Sequence, residues 1–171
     1  MGSHGTGKVN LKSLHHLGKN VTLEEGVLIF HPENISILDN VYIGHNTILK
    51  AYYKNQLVIG EGTWIGQQCF FHSAGGIIIG KNIGIGPGVK IITSFHIDSN
   101  LNEPILHQQL KFAPVIIEDN SDLGTNSVIM PGVTIKKGTQ VGAGAVVTKS
   151  FPEYSVIAGV PAKIIKTRKI S

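Results

Sequence analysis

The chain has 171 residues, 42% of them apolar, which is enough for one domain with a real core and too few for two ordinary ones. Its 21 glycines, few aromatics and abundant valine and isoleucine give an all-β composition of short strands broken by frequent turns. The net charge of +4 comes without the aromatic-interleaved basic stripe of a nucleic-acid surface, and no apolar run approaches a membrane span.

Residues 1–10, opening MGSHGTG, read as a flexible leader or expression scar, and no signal peptide is evident. From Leu17 onward aliphatic or aromatic residues recur every six positions: Leu17, Leu23, Ile29; Ile37, Ile43, Leu49; Ile59, Ile65, Phe71; Ile79, Ile85, Ile91. The pattern resumes at Ile117, Leu123, Ile129, Ile135, Val141 and Val147, and once more at Ile157. A second set lies two positions before most of these, as at Val41, Thr47, Cys69, Ile83, Ser127 and Ala145. Side chains two apart on a strand share a face, so both sets point inward. Glycine commonly follows the aliphatic position, at Gly44, Gly60, Gly66, Gly80, Gly86, Gly124 and Gly142, where the turns are expected to need unusual backbone angles.

Departures from the step of six are equally ordered. The steps 29 to 37, 49 to 59, 71 to 79, 91 to 117 and 147 to 157 exceed it by two, four, two, twenty and four residues, each after a third hexad. Three hexads per turn make a triangular coil, and every insertion then leaves from the same corner. About six coils at roughly 4.8 Å each predict a parallel β-helix about 30 Å tall over residues 11–166. One long loop protrudes, at about 92–116, and carries His96. His72, at the same corner, is expected one coil below Ile92 and is a candidate for lining an acceptor pocket. Beyond it the chain closes with a short C-terminal extension; Lys163 to Lys169 form a basic cluster, and residues 167–171 read as a basic tail suited to a local anionic partner or simply to water.

Cys69 is the single cysteine, so there is no disulfide framework or thiolate zinc cluster, and a cytoplasmic location fits. His15, His16, His31, His45 and His107 recur at no metal-ligand spacing; no metal is expected.

The hexads IGKN, IGIGPG and VGAGAV, with the C-terminal stretch PVIIEDNSDLGTNSVIMPGVTIKKGTQVGAGAVVTKSFPEYSVIAGVPAKIIKTR, resemble the hexapeptide-repeat acetyltransferases, in particular the bacterial sugar O-acetyltransferase and xenobiotic acetyltransferase branch. The likeness runs from Leu17 to about Lys166. It implies a left-handed helix, a homotrimer with each site between neighbouring prisms, acetyl-CoA as co-substrate, and transfer to a sugar hydroxyl of a surface polysaccharide (capsule or lipopolysaccharide) or its precursor. Acetylation of a nucleotide-linked amino sugar or an antibiotic is the alternative within enzymes, and a non-catalytic β-helix subunit the alternative outside them. The γ-class carbonic anhydrases share the fold but need three converging histidines.

By the same resemblance, His96 in TSFHID is the general base: an ordinary imidazole, titrating near pH 6.5, can take the proton of a hydroxyl attacking a thioester. Asp98 is a possible orienter, although relatives carry their carboxylate three positions after the histidine; Glu103 is equally open. Coenzyme contacts carry over onto Gly124, Thr125, Gly142 and Ala143, then Thr148 and Lys149, with Lys166 near the nucleotide phosphates. Relatives often place tryptophan where this chain has Asp122, and its own WIG triplet, at Trp64, falls three coils' worth of hexads earlier. The outward apolar residues Val128 and Met130 are candidates for the trimer contact.

Overall fold

The computed structural model describes residues 4–8 and 10–169; residues 1–3 and 9 of the leader, and 170–171 of the tail, lie outside the described residues. The chain winds as a left-handed parallel β-helix of three flat sheets with six, eight and six strands. Isoleucine and valine, crowded at Cβ, suit such two-to-three-residue strands because the pleat gives their branches room. The register is the one the hexads predict as far as Val147; Ile157, expected one four-residue insertion after a third hexad and hence on the first sheet, falls instead on the second sheet opposite Val141, so the step from 147 to 157 is two shortened hexads and not a corner insertion. On the first sheet Leu17 lies opposite Ile37, Ile37 opposite Ile59, Ile59 opposite Ile79, Ile79 opposite Ile117 and Ile117 opposite Ile135. The second sheet aligns Ile43, Ile65, Ile85, Leu123, Val141 and Ile157 in the same way, the last beginning a seventh, incomplete coil. The third aligns Ile29, Leu49, Phe71, Ile91, Ile129 and Val147.

These columns meet along the axis as one core, with Ile43, Ile65, Phe71, Ile85 and Ile91 fully buried. The residues two positions earlier are buried beside them. Several hydroxyls among them turn to main-chain oxygens at the corners: Thr47 Oγ1 donates to Gly66 at 3.0 Å and Thr63 Oγ1 to Gly80 at 3.1 Å, whereas Ser127 Oγ and Thr139 Oγ1 are buried with no hydrogen-bond partner. A hydroxyl so bonded avoids most of the cost of burial.

The corners correct one expectation. The glycine directly after the aliphatic residue does not take a left-handed conformation; that falls two residues later, where φ is positive at Asn20, Asn40, Gly62, Asn82, Asn120 and Gly138 on one corner and at Gly26, Asn46, Gln68, Gly88, Asn126 and Gly144 on the next. Asparagine tolerates this region better than other residues with a Cβ. The expected glycines answer to close approach instead. A Cβ on Gly124 would lie 2.5 Å from the Ala143 nitrogen, on Gly66 2.6 Å from that of Pro87, and on Gly86 2.7 Å from that of Thr125.

At the third corner a regular turn of this kind survives at Gly132. Elsewhere it holds the insertions, so those after Leu49, Phe71 and Ile91 stack along one edge. At the C-terminal end Ser155–Gly159 and Ala162–Thr167 pair antiparallel and end the parallel stack. The basic segment is thus largely a strand, tied further by Arg168, whose Nη1 donates to the Gly138 oxygen at 2.7 Å. Val128 is half-buried, and Met130 packs against the core rather than standing free.

Close approach and backbone conformation make separable demands. Gly124→Ala is expected to cost about 1–3 kcal/mol through overpacking, while Gly144→Asn, at a position whose column already accepts Asn46 and Asn126, is expected to be nearly neutral. Urea midpoints of the two variants check this; equal losses would show that conformation alone dictates both glycines.

Candidate active site

The stacked insertions build a cleft of about 670 Å³ lined by residues 52–55, 70, 72, 74, 92, 94–96, 110 and 112. Its base is stitched to the coil below. Ile92 pairs with His72, and the buried Thr93 accepts from the Gly75 nitrogen at 2.8 Å while its hydroxyl donates to the His72 oxygen. The loop then runs as an antiparallel hairpin, Ser94–His96 against Leu110–Phe112, with His96 opposite Leu110. It is therefore an ordered arm.

Gln108 organises the tip. It is 7% exposed, and its amide donates to the oxygens of Asn100 at 2.9 Å and Glu103 at 3.1 Å while accepting from the Asn100 nitrogen at 3.2 Å. Its main-chain oxygen lies 2.9 Å from His96 Nδ1. A carbonyl oxygen can only accept, so in the neutral ring Nδ1 carries the hydrogen and Nε2 keeps its lone pair. The orienting partner of His96 is thus a carbonyl. Asp98 and Glu103 are both exposed on the loop.

One coil below, His72 Nε2 lies 2.8 Å from the Tyr52 hydroxyl, with the two rings edge-on at 5.0 Å. Burial, then the Lys50 ammonium, holds the His72 pKa below that of an ordinary imidazole. The Cys69 thiol is buried and its pKa raised, chiefly by desolvation, which removes it as a nucleophile.

The remaining sequence-derived positions fall into separate places. Gly124 and Thr125, and above them Gly142 and Ala143, stack at the corner between the second and third sheets, joined by Gly124 N donating to Val141 O at 2.8 Å and Gly144 N to Thr125 O at 2.8 Å. Thr148 and Lys149 follow the third-sheet strand Val146–Val147, at the corner from which the arm leaves. Lys166 lies in the last strand opposite Val156. Within one chain, a third-sheet strand separates the glycine corner from the corner that carries His96. Trp64 lies two coils below Asp122 in the same column, not three, through Gly84, and stacks on Tyr42 at 5.6 Å.

Sequence reasoning missed Tyr52, Tyr53, Lys54, Phe70 and Gln108. For Tyr52 a signal existed: it lies in the four-residue insertion, twenty positions before His72 and hence one coil away at the same corner. Gln108 left none. Among the described residues no group of three or more His, Cys, Asp or Glu could hold a metal ion, and no helix is long and apolar enough to cross a membrane.

Residues 114–149 match the family model for the hexapeptide repeat of succinyl-transferase. A putative acetyltransferase of Schizosaccharomyces pombe is 36% identical over 108 residues, 63% of this chain and 51% of that one; the chain thus spans about half that relative's length. AntD, an N-acyltransferase from Bacillus cereus solved with dTDP and 3-hydroxybutyryl-CoA, superposes with a TM-score of 0.82 at 27% identity, covering 92% of this chain and 85% of its own. A maltose O-acetyltransferase from Clostridium difficile gives a TM-score of 0.69 at 29% identity, over 94% and 73%.

The lowered pKa of His72 carries a stability consequence of definite sign. The unfolded chain binds a proton near pH 6.5 and the folded chain only below that, so between the two values the unfolded state holds more protons and stability falls as pH falls. His72→Gln removes this contribution. From about pH 7.5 to about pH 5.5 the variant is expected to lose less stability than the parent in urea denaturation; parallel losses would show that His72 titrates normally in the fold.

Proposed function

We propose that this chain, a hexapeptide-repeat β-helix resembling the sugar O-acetyltransferases and xenobiotic acetyltransferases, moves an acetyl group from acetyl-CoA to a sugar hydroxyl, in a surface polysaccharide or its precursor. The arrangement that carries this reading is His96, whose Nδ1 is engaged by the Gln108 oxygen while the ring lines the cleft. Nε2 is then the free basic nitrogen. It takes the proton of the acceptor hydroxyl as that oxygen attacks the thioester carbon. The tetrahedral intermediate, held by main-chain N–H donors, collapses with cleavage of the carbon–sulfur bond, and the imidazolium returns its proton to the departing thiolate. The products are an acetyl ester and coenzyme A. Direct transfer accords with the buried, unactivated state of Cys69.

The coenzyme arm is proposed to run past Gly124, Thr125, Gly142 and Ala143, with Thr148 and Lys149 at its distal part and Lys166 toward the phosphates. Because the glycine corner and the arm lie at different corners of one prism, a complete site requires a neighbouring copy, which favours a trimer with sites between subunits. Leu101, Ile105 and Leu106, exposed at the tip of the arm, suit contact with that neighbour. A cytoplasmic location follows from the donor.

N-acylation is a second reading, favoured by the higher TM-score to the N-acyltransferase AntD. The ionisable side chains of this chain that line the cleft, Tyr52, Tyr53, Lys54, His72 and His96, suit either acceptor, because an amine attacks in its neutral form, which a cleft without a carboxylate favours.

Thiol release from acetyl-CoA across matched hydroxyl and amine acceptors tests the reading. His96→Ala is expected to lower kcat by about 10²–10⁴-fold with acetyl-CoA affinity kept, and Gln108→Ala to lower it less, by loosening the imidazole. Parent-like turnover in His96→Ala would remove His96 as the base. Failure to bind acetyl-CoA at all would remove the enzyme reading.

A further inference from the structure

The Tyr52–His72 pair has no part in the transfer chemistry, yet it is the most constrained polar feature of the cleft. His72 Nδ1 is buried and meets no hydrogen-bond partner. A buried N–H left unpaired is rarer and costlier than an under-used lone pair. The hydrogen of the neutral ring therefore sits on Nε2, which donates to Tyr52 Oη at 2.8 Å. That occupies an acceptor site of the phenol and leaves its own hydrogen for another partner. The depressed pKa of His72, caused first by burial and then by Lys50, agrees with a neutral ring.

The surroundings state what that partner should be. Lys54 lines the same cleft, with its ammonium 5.4 Å from the Tyr53 ring centre. Lys50 stands by Tyr52, its ammonium 5.4 Å from the ring centre. No carboxylate is among the lining residues, and Phe70, Ile92, Phe95, Leu110 and Phe112 make the walls apolar. A phenolic donor and one ammonium lining the same cleft match a singly charged carboxylate; a pyrophosphate, with more charge and more oxygens, calls for a larger cationic set.

We infer that Tyr52, held by His72, is a specificity-determining donor which with Lys54 binds a carboxylate carried by the hydroxyl acceptor, while the aromatic walls take an apolar ring of the same molecule. The acceptor class is thus an acidic sugar or an acidic aryl glycoside. This deepens the transferase reading and rests on it.

A matched pair of probes isolates the carboxylate: p-nitrophenyl β-D-glucuronide and p-nitrophenyl β-D-glucoside, with thiol release from acetyl-CoA followed on the full chain. The parent protein is expected to favour the glucuronide by about tenfold or more in kcat/KM, chiefly through KM. Tyr52→Phe, which keeps the ring and its packing, and Lys54→Met are each expected to cut that preference about five- to tenfold, with much smaller effects on the glucoside. His72→Leu should reproduce the Tyr52→Phe result. Equal use of the two glycosides overturns the inference, as does a Tyr52→Phe variant that slows both alike. Acetyl-CoA binding with acetylation of other hydroxyls but neither glycoside also overturns it while leaving the transferase reading in place; absence of acetyl-CoA binding defeats both.

Discussion

Each face of the prism is held by a main-chain ladder in which an N–H donates to a carbonyl one coil away, as Trp64 does to Ile83 at 2.9 Å and Gly84 to Ser121 at 3.1 Å. This ladder is the constraint on which everything else depends. It works only if every coil has the same perimeter, and therefore three hexads. Within that perimeter the corners must bring successive turns almost into contact, which is why glycine stands where a Cβ would meet the main chain above. Extra residues cannot be absorbed on the flat faces without breaking the register; they leave at a corner. Those before Val147 all use the third.

That shared exit turns a folding constraint into a site. The insertions at 50–56, 73–76 and 93–114 belong to successive coils, so a rise of one strand spacing separates them. Tyr52, His72 and the base of the His96 arm are consequently stacked as rungs of one edge, although twenty residues of chain lie between each pair. The arm needs its own fastening because it departs from the ladder. It has two: Thr93 with Gly75 at the root, and Gln108 at the tip. Through Gln108 the loop's internal order reaches the imidazole, since the residue whose side chain closes the loop also supplies the oxygen that orients Nδ1.

Three details read from the sequence carried the wrong physical reason or distance. The glycines after each aliphatic residue were expected to serve conformation, and they serve proximity; the conformational demand falls on asparagine and glycine two residues later. Met130 was expected to face outward and instead packs on the core. Trp64 was placed three coils below Asp122 and lies two below it. In each case the periodicity is right, and the error comes from treating a repeat position without its neighbour in the next coil.

The amino-acid order by itself determined the coil, its register as far as Val147, the corner that takes the insertions over that length, and the stacking of Ile92 over His72, because period-two burial and a constant perimeter are local and additive. Only the tertiary structure decided that the long excursion is a hairpin, that a carbonyl rather than Asp98 holds His96, and that Tyr52 meets His72. Those contacts join irregular segments whose backbone path no periodicity encodes, and they form only once the ladder has set the coils one strand spacing apart.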